Sequence, residues 1–284
     1  CVDCRRHHPQ ARRRGMSDDS RALVARSDLP EHEALRLLAA ASGHARSSLL
    51  AGARVTDDER DAFRTLERRR LEGEPLQYIE GEVAFGPVVL AVDERALIPR
   101  PETEELLHLV VDLVDDPAVI VDVCTGSGNL AVALAATFPK ADVYATEISP
   151  AAADLARENV TSNGVDVTIL EGDLFTPLPP AIRGRVDLIV SNPPYLSEAE
   201  LAEVPSDVAA EPQLALVGGT RGTEVVERIA DGVSGWIGPD GVVACEISEF
   251  AADSTLGLFA GVDATVVRDM FGKDRFVFGH ARVE

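Results

Sequence analysis

Cysteine is scarce, with four residues in 284, at positions 1, 4, 124 and 245. A chain of this length with so few cannot rest on a disulfide framework. Long apolar runs are missing too: none approaches the ~18–20 residues that cross a bilayer. The N-terminus carries Arg and His where a secretory signal would need an apolar core. The chain is therefore expected to be soluble and cytoplasmic, with no membrane partner. Basic residues are the minority, 27 against 48 acidic, for a net charge of −21. Five arginines fall among the first sixteen residues against Asp3 alone, a local +4 that leaves −25 for residues 17–284. Phosphate backbones are bound through Lys and Arg, so stable nucleic-acid binding is not expected. Gly-x-Ser-x-Gly and His-Glu-x-x-His are absent, and His7, His8, His32, His44, His108 and His280 form no constellation. Hydrolase and zincin chemistry fall with them. Cys1-x-x-Cys4 followed by His7-His8 invites a zinc reading, but no second ligand pair follows at finger spacing, so no metal is expected.

What is present describes a globular chain, 45% hydrophobic and 26% charged. Residues 1–16 are expected to be a disordered or upstream-start extension, because Met16 opens Met-Ser-Asp-Asp-Ser just before regular structure begins. Residues 17–80 read as a small all-helical domain. Ala34, Leu35, Leu37, Leu38 and Ala41 make a helical stripe, and Thr56-Asp57-Asp58-Glu59 has the form of a capping box opening a helix to about Leu71. Arg68-Arg69-Arg70 on its last turn reads as a solvated helix end or as a contact for an acidic or RNA partner. Residues 81–100 are expected to be a hairpin linker turned at Gly86-Pro87. From 101 to 284 helices and strands alternate. This predicts an α/β fold, a mostly parallel sheet whose last two strands form an antiparallel edge hairpin.

The chemistry gathers at strand ends. Asp122-Val-Cys124-Thr125-Gly126-Ser127-Gly128 joins the first strand to its helix, where glycines let a ligand approach the backbone. Alone, Gly126-x-Gly128-x-x-Ala131 is a weak dinucleotide-like signal. Glu147 ends the second strand, nineteen residues after Gly128, where a carboxylate can accept bonds from a ribose diol. Asp173, followed by Leu174, closes the third and can face an adenine amino group. Acidic strand ends suit a nucleoside without phosphate better than a pyrophosphate. Asn192-Pro193-Pro194-Tyr195 follows the fourth strand. The prolines lock the backbone, so the Asn192 amide oxygen and a nearby carbonyl can accept both N–H bonds of a planar amino group on which Tyr195 stacks.

Together these segments resemble class I S-adenosylmethionine-dependent methyltransferases, with a Rossmann-like fold, that act on planar nitrogen. Glu74-Pro75-Leu76-Gln77-Tyr78-Ile79-x-Gly81, Leu97-Ile98-Pro99-Arg100-Pro101-Glu102-Thr103-Glu104 and Asp269-x-x-Gly272-x-Asp274-Arg275 are similar to the HemK/PrmC family. The resemblance implies S-adenosyl-L-methionine as cofactor. It also implies methyl transfer to the N5 amide of the glutamine in the Gly-Gly-Gln motif of class-1 peptide chain release factors. It assigns cofactor binding to Cys124, Thr125, Gly126, Ser127, Gly128, Glu147, Asp173, Leu174 and Asn192. Substrate binding goes to Asn192, Pro193, Pro194 and Tyr195, with catalysis by Asn192, Pro193 and Tyr195. Two positions depart from the pattern: Cys124 stands where the family often has Gly, and Leu174 where some members place an aromatic ring. The alternatives are a glutamine methylase for a large-subunit ribosomal protein, an exocyclic-amino nucleic-acid methylase and a non-enzymatic cofactor-binding regulator. The helical leader either recognises the release factor or covers a sheet edge.

Overall fold

The computed structural model describes residues 18–282. The readings on residues 1–16 and on Cys1, Cys4, His7 and His8 lie outside the described residues. The chain divides into two compact units, the first ending at Glu80 and the second starting at Gly81.

The first unit is built from helices Ser20–Val24, Glu31–Ser42, Arg46–Leu50, Asp57–Leu71 and Leu76–Glu80. Their apolar stripes bury Leu23, Ala34, Leu37, Leu38, Leu49 and Phe63 in a core of their own. The capping box is formed as read: Thr56 N donates to Glu59 Oε2 at 2.7 Å, and Glu59 N donates to Thr56 Oγ1 at 3.3 Å. An antiparallel pair, Asp18–Asp19 with Arg54–Val55, was not legible because two-residue strands carry no periodicity. Two of the three arginines at the helix end are tied within the unit, Arg70 to Glu33 at 2.8 and 3.0 Å and Arg69 to Glu74 at 2.7 Å. Arg68 is exposed.

In the second unit the expected hairpin forms as Glu82–Phe85/Val88–Ala91 and contributes side chains to the core. Phe85, Val88 and Leu90 are buried with Leu106 and Leu107 of helix α1 (Pro101–Leu113), so the hairpin covers apolar surface that would otherwise face water. The main sheet has strands β1 (Val119–Val123), β2 (Asp142–Glu147), β3 (Thr168–Glu171), β4 (Val186–Ser191), β5 (Ile237–Glu246), β6 (Val262–Arg268) and β7 (Asp274–Ala281). Their order is β6-β7-β5-β4-β1-β2-β3. All pairs are parallel except β5–β7 and β6–β7. β1 is buried throughout, as a strand with helices on both faces must be. Helices α2 (Asn129–Thr137), α3 (Pro150–Asn163), α4 (Glu224–Val233) and α5 (Ala252–Leu258) complete the layers. Alternate strand residues feed two apolar clusters, one around Ile120, Leu188 and Ala244, the other around Val121, Ile189 and Cys245. Strand order reverses at β1 and β4, which opens a crevice at their carboxyl ends.

Candidate active site

The turn from β1 into α2 has left-handed backbone at alternate residues, with φ of 61° at Cys124, 58° at Gly126 and 83° at Gly128. Left-handed Cys is costly, and here it is held by its neighbours: Cys124 is partly buried and packs on the second apolar cluster. A Cβ on Gly126 would meet no protein atom within 4 Å, because the position opens onto the crevice. One on Gly128 would press on Ala156 Cβ at 3.2 Å, so the second glycine serves helix packing. The turn is pinned from three sides. Gly126 N donates to Glu147 Oε2 at 2.9 Å, Thr125 Oγ1 donates to Asp122 Oδ2 at 2.5 Å, and the buried Asn159 Nδ2 donates to the Ser127 carbonyl at 2.9 Å.

Above the turn lies a cavity of about 230 Å³. Of the residues read from sequence, it is lined by Cys124, Thr125, Gly126, Ser127, Glu147, Asp173, Leu174, Asn192 and Pro194. Gly128, Pro193 and Tyr195 are not on its wall. Pro193 is buried, and the Tyr195 hydroxyl donates to Glu246 Oε1 at 3.1 Å. Leu97, Ile98, Pro99 and Arg100 also line it. That extended run is clamped by the buried Glu211, which accepts from Ile98 N at 2.8 Å and pairs with Arg100.

The electrostatics are those of a cation site. Burial pushes the Asp122 carboxyl up to about 7, with the nearby Glu147 charge adding to the shift. Asp122 Oδ1 is buried and unpartnered among the described residues, as is Thr146 Oγ1. Burial also raises Glu147, whose oxygens each accept one backbone N–H, from Gly126 and Ser149. A carboxylate has about four lone-pair sites, so Glu147 keeps capacity for a ligand diol. Asp173 is half exposed at the cavity mouth and is paired with Arg228, a residue the sequence did not bring forward. An orphaned acidic oxygen, a spare carboxylate and an open glycine fit a nucleoside that carries an ammonium and a sulfonium. They do not fit a polyphosphate.

At the far wall, Asn192 Nδ2 donates to Thr103 Oγ1 at 2.8 Å, and Thr103 Oγ1 donates to Glu246 Oε2 at 2.7 Å. Thr103 and Glu246 are both buried. With its NH2 group taken up by Thr103, Asn192 turns its carbonyl oxygen away from that bond. Neither Thr103 nor Glu246 was singled out as a site residue in the sequence. The available signals were the place of Thr103 in the Leu97–Glu104 run and a lone acid closing the apolar run of β5.

Sheet order, glycine turn and the Asn-Pro-Pro-Tyr corner together define a Rossmann-like methyltransferase. Residues 105–216 match the family described as methyltransferase small domain, and residues 20–81 match the PrmC N-terminal domain. The release factor glutamine methyltransferase of Deinococcus radiodurans is 40% identical over 256 residues, covering 87% of this chain and 90% of that protein. Its counterpart in Mycolicibacterium smegmatis is 42% identical over 223 residues, covering 76% and 78%. Among solved structures, a methyltransferase from Pyrococcus furiosus aligns with a TM-score of 0.53 at 18% identity, over 76% of this chain and 98% of that one, a likeness of fold alone. The chain belongs to the release factor glutamine methyltransferase family.

Proposed function

We propose that this enzyme transfers a methyl group from S-adenosyl-L-methionine to the N5 amide nitrogen of the Gly-Gly-Gln glutamine in class-1 release factors, in the cytoplasm. The observation that carries the reading is the Asn192 amide. Its NH2 is engaged by Thr103, which leaves its oxygen as an acceptor beside the cavity it lines.

The residues that would hold the cofactor are the turn Cys124–Gly128, Glu147, Asp173, Leu174 and Asn192. Glu147 would accept from the ribose hydroxyls, Asp173 from the adenine amino group, and Asp122 Oδ1 would face the ammonium. When bound, the cofactor supplies an electrophilic methyl on a sulfonium. An amide nitrogen is a poor nucleophile because its lone pair is delocalised, so alignment must supply much of the rate. Asn192 Oδ1 and the Pro193 carbonyl would accept the two glutamine N–H bonds, fixing the nitrogen in line and stabilising the positive charge that develops on it. Tyr195 and Pro194 would pack on the amide plane and exclude water. The methylated amide cation is strongly acidic and would give up its N–H proton to water as the product leaves, so no strong general base is required. The helical unit would recognise the release factor.

The test is transfer of label from S-adenosylmethionine to purified release factor, with the Gly-Gly-Gln glutamine changed to alanine as control. Label on the native factor alone is the expected result. Label on neither redirects the assignment to the ribosomal-protein glutamine and then to RNA. Asn192→Ala should lower kcat by ~10²-fold or more, as loss of a charge-stabilising group does, with a much smaller loss of cofactor affinity, since Asn192 is one of several cavity residues that would hold the cofactor. Wild-type turnover in that variant would remove Asn192 from the mechanism.

A further inference from the structure

The hydrogen bonds behind the Asn-Pro-Pro-Tyr corner have a direction. Thr103 has one hydroxyl proton, and it goes to Glu246 Oε2 at 2.7 Å. Its oxygen is thereby left to accept from Asn192 Nδ2 at 2.8 Å. Glu246 Oε1 accepts from the Tyr195 hydroxyl at 3.1 Å. A single carboxylate, 1% exposed at the end of β5, thus receives both chains of donors that reach the corner.

We propose that Glu246, acting through Thr103, is a positioning residue that sets which way round the Asn192 amide stands and so keeps its oxygen toward the substrate. This rests on the reading that Asn192 Oδ1 accepts a glutamine N–H. The logic is one of proton counting. A carboxylate cannot donate, so both hydroxyls must point at it, and Thr103 can then only accept from Asn192. A proton on Glu246 Oε2 would be donated to Thr103. The Thr103 hydroxyl would then turn to Asn192 and favour the flipped amide, with its oxygen on Thr103 and its NH2 at the substrate. Two donors would face each other across the reacting amide, and in-line alignment would be lost.

The groups around Glu246 set where the switch falls. Thr103 and Glu102 approach from α1, Tyr195 from the corner, Arg275 from β7, and Cys245 precedes it on β5. Burial raises the Glu246 carboxyl most. The bonds from Thr103 and Tyr195 and the Arg275 charge pull it down, Glu102 pushes it up, and the result is about 7. Arg275 is itself partly committed, 3.4 Å from Asp269 and 3.9 Å from Glu249.

Thr103→Val, Thr103→Ser and Glu246→Gln test the relay in the full chain. Thr103→Val keeps the shape and removes the hydroxyl. It should lower kcat by ~10²-fold, with cofactor Kd and the release-factor KM little changed, and Thr103→Ser should recover most of the loss. In the wild type, kcat should rise about tenfold per pH unit up to about pH 7, and Glu246→Gln should lack that rise. A substrate-free readout runs beside it. The side-chain amide NMR signals of Asn192, assigned by their absence in Asn192→Ala, should titrate near pH 7 in the wild type and not in Glu246→Gln. If Glu246→Gln fails to fold, the two Thr103 variants and the wild-type titration still decide. Wild-type turnover in Thr103→Val, or Asn192 signals that ignore pH, would overturn the relay. An intact Asn192 titration with no transfer to release factor would support the relay and reject the substrate instead.

Discussion

Asp122 is a buried carboxyl at the end of β1 with one oxygen that finds no partner among the described residues. Its pKa of about 7, raised from 3.8 by burial, makes it a stability switch with a definite sign. Between these values the native state holds a proton that the unfolded chain has released. The contribution is therefore full below about 3.8 and is lost as pH rises through about 7, by up to ~1.4 kcal/mol per pH unit. Glu246, raised from 4.5, works in the same direction. The ligand-free enzyme should lose thermal stability from pH 5 to pH 8, and Asp122→Asn should flatten that loss. Asparagine still accepts from Ala131 N and Thr125 Oγ1, so the turn keeps its pins. Melting curves of both proteins across that range decide it, and parallel slopes would clear Asp122 of the effect. Asp122, Glu147, Asp173 and Asn192 were legible in the sequence because strand ends in a parallel sheet converge on one crevice. The roles of Thr103 and Glu246 were not, since their bond joins residues 143 apart: Thr103 stood in the Leu97–Glu104 run with no partner to give it a role, and Glu246 reads as an ordinary strand-end acid.

Among elements, the alternation of buried strands and helices predicted the sheet and its antiparallel edge, because continuous apolar runs can only be satisfied between two layers. The stretch after the Asn-Pro-Pro-Tyr corner gave no such signal. It folds into four-residue helices Glu198–Leu201, Ser206–Ala209 and Gln213–Leu216, too short for periodicity, then a parallel bridge of Val217–Gly219 to Leu196–Ser197. That bridge buttresses the corner from behind. A Cβ at Gly218 would be driven into the carbonyl oxygens of Pro194 and Gly222, and one at Gly222 would stand 2.6 Å from the Tyr195 carbonyl. Both contacts are with backbone, which cannot rotate away. Gly218→Ala should therefore push the Pro194 peptide forward, reducing turnover by ~10²-fold through misplacement of the substrate acceptors. It should cost ~1–3 kcal/mol of stability. Cofactor affinity should hold, since Gly218 lies outside the β1–β3 turns. Calorimetric titration of the cofactor beside kcat separates these, and a variant with normal turnover would show that the corner does not depend on its buttress.

The whole molecule joins two bodies with separate cores. The apolar cluster of the first unit is drawn from residues 23–79, and the clusters of the second begin at Phe85. Each unit therefore removes apolar surface of its own from water. The cavity is likewise lined only by residues 95–228, all in the second unit. A chain starting at Gly81 should keep the cofactor affinity of the full enzyme. What it should lose is recognition of a folded protein. At least six of the ten described arginines of the first unit are in internal ion pairs, Arg21 to Asp19, Arg36 to Glu80, Arg60 to Asp57, Arg64 to Glu67, Arg69 to Glu74 and Arg70 to Glu33, so its contribution to binding would be one of shape more than of free positive charge. Removal should raise the KM for release factor at least tenfold, a loss of ~1.4 kcal/mol. Transfer to a short Gly-Gly-Gln peptide should be affected far less, since a peptide reaches the corner without the leader. Equal losses on factor and peptide would assign the leader to the catalytic unit's stability. A collapse of cofactor affinity would show that the second unit does not stand alone.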